Sequence, residues 1–394
     1  MITNKYLFLF IVFLLISSCN QKDQTTNKDK IDLVETSDEM SFALDSNTTL
    51  LIKALFLHTE NNGSEYLTFQ NDKEPEILFY DIKTQSLVKK ILLDTEGDNG
   101  VGKTLGYYIK NINEIYLTSL YFPYIIKINY DGEIIKKIDL KKFTNLPLTE
   151  FQSMSFCYRP LFFIDNNLYI PQFINKGIKE KNNFIENSPL CIVLDTTNMH
   201  IQQSDFKFPP LLSIKEYFTQ ALGVEYNYSR CFDGKRIIYS FGYDENIYIT
   251  SIENKLISTK PIKSKYIKKL SSIKNRPENI QDGIKKMNEI PLYGNLIYDK
   301  YQNVYYRICY PETEIDKKEN MADIWQFGRK LFSIVILDKD LNIIGEKLFP
   351  EYTYISTLMF IRKDGLYICN SHYKNPNFKE DNLSFKKFIL HKND

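Results

Sequence analysis

The stretch Asn113–Leu140, N-E-I-Y-L-T-S-L-Y-F-P-Y-I-I-K-I-N-Y-D-G-E-I-I-K-K-I-D-L, carries the pattern from which the fold can be predicted. Its β-branched and aromatic residues fall into three short runs, Ile115–Leu120, Tyr124–Asn129 and Ile134–Leu140, which we predict to be strands. The segment Tyr130–Glu133 separates the last two runs. Its Asp-Gly pair is typical of a type I′ hairpin turn, which needs positive φ at both central residues.

This unit recurs along the chain. A tyrosine beside an aliphatic residue begins a strand and a second strand follows, six times in all, at Tyr66, Tyr116, Tyr169, Tyr239, Tyr305 and Tyr367. A further short apolar strand precedes several copies, as at Leu161–Ile164 and Leu358–Ile361. A repeat of roughly 50–70 residues with four strands is typical of a propeller blade.

We therefore predict an all-β fold, a six-bladed β-propeller of four-stranded blades with short helical inserts. The alternative is a two-sheet sandwich in which the tyrosine spacing is coincidental. It is less favoured because a sandwich would not need the same order of strand, turn and strand six times.

The N-terminus has the features of a secretory signal. Lys5 precedes the apolar run Tyr6–Ile16, which is too short to span a bilayer as a helix and fits the apolar region of a signal peptide. The small residues before Cys19 resemble a bacterial lipobox. That resemblance implies cleavage before Cys19 and a diacylglycerol thioether on its sulfur. Residues 1–18 are therefore predicted to be a lipoprotein signal peptide, and the fatty acylation, of the palmitate type, is predicted on Cys19 of the processed chain.

Residues 19–47 are predicted to be the lipidated cysteine and a flexible tether, because Asn20–Glu39 is polar, charged and poor in aromatic residues. No aspartate directly follows Cys19, which by analogy with other lipoproteins favours the outer membrane. Gln21–Asp23 resembles a short sorting signal for the cell surface, although an ordinary solvated linker explains it nearly as well. We expect a lipid-anchored outer-membrane protein, on the periplasmic face or at the cell surface.

Residues 48–394 are predicted to form the propeller. Thr49–His58 is expected to be an N-terminal strand that closes the ring beside the last blade, with the first strand of blade one as the alternative. The net charge is +1 at pH 7, so the chain lacks the positive charge typical of nucleic-acid-binding proteins and no nucleic-acid partner is expected.

Four inserts interrupt the repeat. Pro209–Gly223 and Ser271–Ile290 have helical spacing of apolar residues, whereas Asn175–Asn187 and Glu312–Gln326 are polar or charged loops, the latter with Trp325 near its end. In propellers such inserts crowd one face, where ligands bind. The alternative is that they only cover apolar strand ends.

The segment Gly97–Thr104, G-D-N-G-V-G-K-T, matches the phosphate-binding pattern G-x-x-x-x-G-K-[ST]. That pattern binds phosphate only when a helix follows it, because the helix N-terminus supplies amide donors. Leu105–Ile109 does not have a helical pattern and leads directly into the strand at Ile115. We therefore predict that the match is accidental, that nucleotide is not bound and that no cofactor is needed.

Other chemical motifs are scarce. The four histidines lie far apart in sequence and predict no metal site: His58, His200, His372 and His391. Besides Cys19 there are five cysteines, an odd number, which favours buried thiols over a disulfide framework: Cys157, Cys191, Cys231, Cys309 and Cys369.

Arginine is rare among the basic residues of this chain, which suggests that a planar guanidinium is required where it occurs. Arg159 and Arg230 are predicted to lie just before the first strands of blades three and four, and Arg307 follows the tyrosine pair of blade five. These three are the candidate ligand-binding residues, for an anionic or carbohydrate-like ligand at the mouth of the channel. The alternative is that they tie blades together through carbonyls and carboxylates.

Several segments carry a resemblance to a known group of proteins: E-G-D-N-G-V-G at 96–102, Y-F-P-Y-I-I-K-I-N-Y-D-G-E-I-I at 121–135 and F-I-R-K-D-G-L-Y-I at 360–368. With the lipobox, they resemble an uncharacterised family of Gram-negative lipoproteins that are similar to six-bladed propellers of the NHL and TolB-like kind. The resemblance implies the fold and an envelope location and supplies no substrate.

Two functions from different classes are compatible with these features. The first is an envelope-anchored binding or scaffolding propeller, whose partner would be an anionic or carbohydrate ligand or an envelope protein. The alternative is an enzyme, a lyase or hydrolase, that acts on an extracellular glycan or small molecule in the propeller channel. Fold alone does not distinguish them.

Overall fold

The computed structural model describes residues 30–71, 73–144, 151–174, 189–209, 227–271, 277–316 and 318–393. Within these residues, antiparallel strands form six sheets arranged as the blades of a ring. The predicted all-β six-bladed propeller is confirmed.

The strands follow one another blade by blade. After β1 (Ile31–Ala43), blade one contains β2 (Ile52–Thr59), β3 (Glu65–Asn71), β4 (Glu76–Asp81) and β5 (Ser86–Leu92). Blade two contains β6 (Thr104–Asn111), β7 (Glu114–Ser119), β8 (Tyr124–Ile128) and β9 (Ile134–Asp139). Blade three contains β10 (Phe151–Ser153), β11 (Phe162–Ile164), β12 (Asn167–Ile174), β13 (Cys191–Asp195) and β14 (Ile201–Gln203).

The second half of the ring has the same order. Blade four contains β15 (Tyr228–Phe232), β16 (Ile237–Phe241), β17 (Asn246–Thr250) and β18 (Leu256–Pro261). Blade five contains β19 (Leu292–Asp299), β20 (Val304–Tyr310), β21 (Ser333–Leu337) and β22 (Ile343–Leu348). Blade six contains β23 (Ile355–Arg362), β24 (Gly365–Cys369), β25 (Asn382–Lys392) and, as its outermost strand, β1.

The strand that closes the ring is not the predicted one. Thr49–His58 was expected to pair beside the last blade, but Ile52–Thr59 is the first strand of blade one, the alternative that the sequence left open. Ring closure is made by β1, which pairs with β25 from Ile31 opposite Lys392 to Ala43 opposite Asn382. The prediction of a tether over residues 19–47 is therefore wrong from Ile31 onward, because the polar side chains of this outermost strand face solvent while Leu33 and Phe42 are buried.

The repeated tyrosine strand is the second strand of every blade. The six tyrosines lie on β3, β7, β12, β16, β20 and β24, in that order. The three strands predicted within Asn113–Leu140 are β7, β8 and β9, which confirms the pattern from which the fold was predicted.

The turn between β8 and β9 differs from the prediction. Only Gly132 has positive φ (86°), so the turn is not type I′. The side chain of Asn129 accepts hydrogen bonds from the main-chain N–H groups of Asp131 and Glu133, both at 3.0 Å. This side-chain cap closes a five-residue connection, and the strand register shifts between Lys127 and Ile128 to accommodate it.

The hydrophobic core is divided among the junctions between blades. Six clusters of buried apolar residues each join two neighbouring blades. For example, Phe79 of blade one packs with Tyr107 of blade two, and Phe42 of blade six packs with Phe69 of blade one. A chain of this length can therefore bury its apolar surface without one large central core.

Two helices lie in the inserts. α1 (Ile280–Glu289) confirms the helical prediction for Ser271–Ile290, and its N-terminus is capped by Asn279. α2 (Met321–Phe327) lies where Glu312–Gln326 was predicted to be a loop, and Asn320 caps it. Asn175–Asn187 and nearly all of Pro209–Gly223 fall outside the described residues.

Candidate functional site

The two faces of the ring differ in the length of their connections. On the face that we call the hairpin face, the first strand of each blade joins the second, and in blades one to five the third joins the fourth. These connections have at most five residues, such as 60–64 and 129–133. On the other face, which we call the insert face, the connections include 262–291 and 311–332. The antiparallel order places the two helices, α1 and α2, in connections at the insert face.

Exposed apolar side chains in the described connections concentrate on the insert face. Tyr121 (68% exposed), Phe122 (59%), Trp325 (65%) and Ile280 (71%) all lie there. On the hairpin face, the corresponding residue among those described is Tyr301, which is 36% exposed. Exposed apolar groups are typical of interaction sites, so the insert face is the candidate binding surface.

A channel plug, residues 154–161, interrupts the inner strand of blade three. β10 and β11 both pair with β12, and the chain between them leaves the sheet. At one end of the plug, the N–H of Ser155 donates to the carbonyl of Leu105 (2.9 Å) and its hydroxyl donates to that of Tyr107 (2.7 Å), in the first strand of blade two. Gly106 makes this approach possible, because a Cβ atom there would lie 1.8 Å from the carbonyl oxygen of Ser155.

The other end of the plug is held by blade four. The carbonyl of Tyr158 accepts hydrogen bonds from the main-chain N–H of Arg230 (2.8 Å) and from the hydroxyl of Ser229 (2.7 Å). The plug therefore crosses the inner wall of the ring from blade two to blade four.

The tip of the plug is a tight turn that carries Cys157 and Tyr158. The main chains of Phe156 and Arg159 exchange hydrogen bonds of 3.3 and 2.9 Å around it. Burial raises the pKa of the Cys157 thiol to about 12 and the pKa of Tyr158 to about 12. Both groups are thus protonated at neutral pH, and Cys157 lacks the thiolate character of a cysteine nucleophile.

Arg307, one of the three predicted ligand-binding residues, is fully buried between blades four and five. Its guanidinium donates to the carbonyls of Glu245 (2.6 Å), Ile262 (2.9 Å) and Asp244 (2.7 Å), and to the Ser240 hydroxyl (3.0 Å). It lies over the ring of Tyr293, 3.9 Å from the centroid. These contacts favour the alternative role, in which arginine ties blades together.

Arg230 and Arg159 are also buried. Arg230 lies within β15 rather than before it, and donates to the carbonyls of Pro160 (2.9 Å) and Tyr169 (3.0 Å) in blade three. Arg159 donates to the carbonyl of Tyr228 (3.4 Å), in blade four. The structure brings these two together at the junction of blades three and four, whereas Arg307 lies at the next junction, so the three do not converge on one channel mouth.

Arg329 is a buried arginine to which the sequence assigned no role. It follows the Gly328 cap of α2 and donates to the carbonyls of Asn288 and Ile290 at the end of α1. Burial lowers the pKa of Arg329 to about 10. It locks the two inserts together, a role that depends on contacts between distant segments and that no local pattern would reveal.

The phosphate-like pattern has no helix after it. β6 begins at Thr104, so the glycine-rich segment leads into a strand and lacks the helix N-terminus that the phosphate-binding geometry needs. Lys103 is exposed, and Gly102 and Lys103 line a cavity of about 370 Å³ between blades one and two together with Gln70 and Glu76. The structure thus places these glycines in the loop that joins blade one to blade two.

A larger cavity of about 910 Å³ lies on the insert face where blade six meets blade one. Aromatic side chains of α2 and of the connection 370–381 form one wall: Phe327, Tyr373 and Phe378. Four carboxylates and one lysine also line the cavity: Asp45, Asp323, Glu380, Asp381 and Lys73. The cavity combines apolar surface with negative charge, which suits a ligand with a cationic or hydrogen-bond-donating group.

His372 lies beside this cavity wall and is fully buried. It stacks on Tyr373 with ring centroids 4.9 Å apart, and its Nδ1 accepts a hydrogen bond from the main-chain N–H of Lys374 (3.2 Å). Burial and the charge of Lys374 lower the pKa of His372 to about 4, against the opposing effect of Glu319. His372 is therefore neutral at physiological pH and supports the packing of this wall.

The described residues contain no group of three or more histidine, cysteine or acidic side chains arranged to hold a metal ion. Cys191, Cys231, Cys309 and Cys369 are buried free thiols, and Cys157 is a half-buried one, which confirms the interpretation of the cysteines. No helix within the described ranges is long and apolar enough to cross a membrane.

Comparisons with known proteins are consistent with this architecture. A family model described as a domain of unknown function (DUF4221) matches residues 30–348. A crystal structure of a DUF4221 member from Bacteroides vulgatus is 26% identical, with a TM-score of 0.81, and the match covers 93% of this chain and 99% of that one. A proposed exported protein of Bacteroides fragilis is 11% identical, with a TM-score of 0.51 over 93% of this chain and 97% of that one, and shows the fold alone. No curated protein matches the chain.

Proposed function

The chain belongs to the DUF4221 family, whose function is unknown, and we propose that this member is a lipid-anchored outer-membrane protein that binds ligand on the insert face of its propeller. The anchor is the diacylglycerol on Cys19 that the lipobox implies. The binding surface is the face that carries the long connections, the exposed aromatic residues and the 910 Å³ cavity.

The direction of β1 is the observation that carries this proposal. As the outermost strand of blade six, β1 begins at the hairpin face, where Ile31 pairs with the end of β25, and runs to the insert face at Ala43. The chain therefore enters the ring at the hairpin face. An anchor upstream of Ile31 draws that face toward the membrane and leaves the insert face directed away from it.

The spacing between the anchor and the ring is short. Eleven residues separate Cys19 from Ile31 and can extend to roughly 40 Å at most. The propeller is held close to the lipid surface, and short hairpin turns rather than bulky inserts face it. This arrangement suits a protein that captures a ligand from the aqueous side.

The polar side chains described along the inner wall of the ring are buried groups that stabilise the fold, and they are not reactive. The plug thiol and phenol are protonated at neutral pH, and the buried guanidinium groups of Arg230 and Arg307 donate to main-chain carbonyl oxygens. These groups stabilise a shaped surface and do not form an activated nucleophile. This observation supports a binding function ahead of the enzymatic alternative.

The anchor can be tested with a clickable fatty-acid analogue supplied to cells that produce the full-length protein. The wild type and a Cys157→Ser control should incorporate the analogue and fractionate with the outer membrane, whereas Cys19→Ser should lose the label. Label that persists in Cys19→Ser, or a wild-type chain without label, would contradict the proposal.

A further inference from the structure

A compact surface on blade two combines aromatic rings with lysines at the insert face. We call it the aromatic–lysine corner, and it consists of Tyr121, Phe122, Lys137, Lys141, Lys142 and Phe143. All six side chains are exposed, with Tyr121 and Phe122 exposed by 68% and 59%. Neither the phosphate-like loop nor the buried arginines contribute side chains to it.

Main-chain and side-chain contacts hold the corner in a defined conformation. The connection 120–123 and the short 3₁₀ helix Leu140–Phe143 are joined by a hydrogen bond from the N–H of Leu140 to the carbonyl of Pro123 (2.9 Å). Phe122 stacks on Tyr124 with ring centroids 5.5 Å apart and an interplanar angle of 19°. The Nζ of Lys137 lies 4.9 Å from the centroid of the Tyr124 ring. The Tyr124 ring therefore contacts both the Phe122 ring and the Lys137 ammonium group and fixes their relative positions.

The positive charge of the corner is not neutralised locally. Lys137, Lys141 and Lys142 form no ion pair with any of the described residues. The nearest carboxylate in sequence, that of Asp139, caps the 3₁₀ helix and accepts a hydrogen bond from the main-chain N–H of Lys141 (3.1 Å). Exposed rings beside uncompensated ammonium groups are complementary to a partner that has both apolar faces and negative charge.

We propose that the aromatic–lysine corner binds an acidic polysaccharide, with the rings of Tyr121 and Phe122 against sugar faces and the lysines paired with carboxylate or sulfate groups. This rests on the proposed function, in which the insert face is directed away from the protein's own membrane. An anionic polymer on the aqueous side therefore meets the corner more readily than the lipid surface behind the ring.

The probe is immobilised polygalacturonate, an acidic polysaccharide, with neutral dextran as the reference surface and the full-length protein in mild detergent as the analyte. Wild type should bind polygalacturonate and not dextran, and the affinity should fall as salt screens the charges. Tyr121→Ser with Phe122→Ser should weaken binding about tenfold through the loss of ring contacts. Lys137→Gln with Lys142→Gln should weaken it similarly and reduce the dependence on salt.

Lys300 and Tyr301 provide a matched control on the hairpin face. There, too, a lysine lies 5.1 Å from an exposed tyrosine ring. Lys300→Gln with Tyr301→Ser removes the same chemistry from the other face and should leave polygalacturonate binding unchanged.

Three results would overturn the inference. The first is no binding of polygalacturonate by the wild type, and the second is an equal loss of polygalacturonate binding in the control variant. The third is that substitutions in the corner weaken binding to lipid vesicles but not to polygalacturonate. The last is measured with phosphatidylglycerol vesicles as the difference between wild type and the Tyr121/Phe122 variant, because both carry the same anchor. Polysaccharide binding is measured without a membrane, so its failure leaves the anchor at Cys19 standing, and loss of the anchor leaves this result unaffected.

Discussion

Ile31 lies directly opposite Lys392 in an antiparallel strand pair, so residues more than 350 positions apart in sequence close the ring. The strand that begins at Ile31 contributes buried side chains to both neighbouring junctions: Leu33 packs between blades five and six, and Phe42 between blades six and one. Ring closure therefore depends on non-covalent packing along the whole length of β1.

Phe42→Ala should destabilise the propeller by about 3–5 kcal/mol, because the buried ring is lost and a cavity remains between Tyr80 and Phe385, whose ring centroids lie 5.6 and 6.0 Å away. Chemical denaturation measures the change in the free energy of unfolding. Val34→Ala, on the exposed side of the same strand, is the control and should cost well under about 1 kcal/mol. A similar small loss in both variants would show that β1 does not close the ring.

Gly106→Ala tests the anchoring of the channel plug. Gly106 and Gly63 both have positive φ, 91° and 87°, but only Gly106 lies against another main chain. Gly63→Ala should cost about 1–2 kcal/mol from backbone strain alone. Gly106→Ala should cost about 2 kcal/mol more, because its Cβ meets Ser155. Equal losses by thermal denaturation would mean that the plug is not pressed against blade two.

Arg307→Met should lower the free energy of unfolding by about 3 kcal/mol or more, because the carbonyl oxygens of Asp244 and Ile262 lose the donor that the buried guanidinium provides. The carbonyl of Glu245 loses the same donor but keeps the main-chain N–H of Ile262 (2.9 Å). Lys363→Met, on an exposed turn of the hairpin face, is the control and should change stability by less than about 0.5 kcal/mol. An Arg307→Met protein of normal stability would instead return this residue to the predicted ligand-binding role.

The blade pattern could be found in the sequence because it is local: each second strand has a tyrosine beside an aliphatic residue near its start, and short turns keep the strands of a blade adjacent. The outermost strand of blade six was not predicted from the sequence. Ile31–Ala43 faces solvent along much of its length, so only Leu33, Phe42 and a few partly buried residues distinguish it from a polar linker. Its partner, β25, lies at the other end of the chain, so no local sequence pattern indicates that the two strands pair.

The candidate site was predictable only in outline. The inserts and the unusual arginines could be located, but their environment could not. Arg230 and Arg307 became inter-blade ties because carbonyl oxygens from distant strands surround them. The channel plug and the role of Arg329 arise from three-dimensional contacts that leave no periodic pattern in the sequence.

His372 should make stability depend on pH. Burial lowers its pKa in the folded state to about 4, whereas the unfolded side chain titrates near 6.5. The unfolded state therefore binds the extra proton first, so stability is full above about pH 6.5 and is lost as the pH falls toward 4, by on the order of 3 kcal/mol. His372→Asn should flatten the difference in Tm between pH 7.5 and pH 4.5, and the exposed His200→Asn should not. An unchanged pH dependence in His372→Asn would contradict this account.

In the orientation that we propose, the hairpin face is held toward the membrane and the insert face is directed away from it. Two positions on blade five test it: Lys300 on the hairpin face and Trp325 on the insert face. In a Cys157→Ser parent, Lys300→Cys and Trp325→Cys are each labelled with a donor dye, and the full-length protein is reconstituted through its anchor into vesicles with a headgroup acceptor. The account predicts greater energy transfer from position 300 than from position 325. Equal transfer, or greater transfer from position 325, would contradict it.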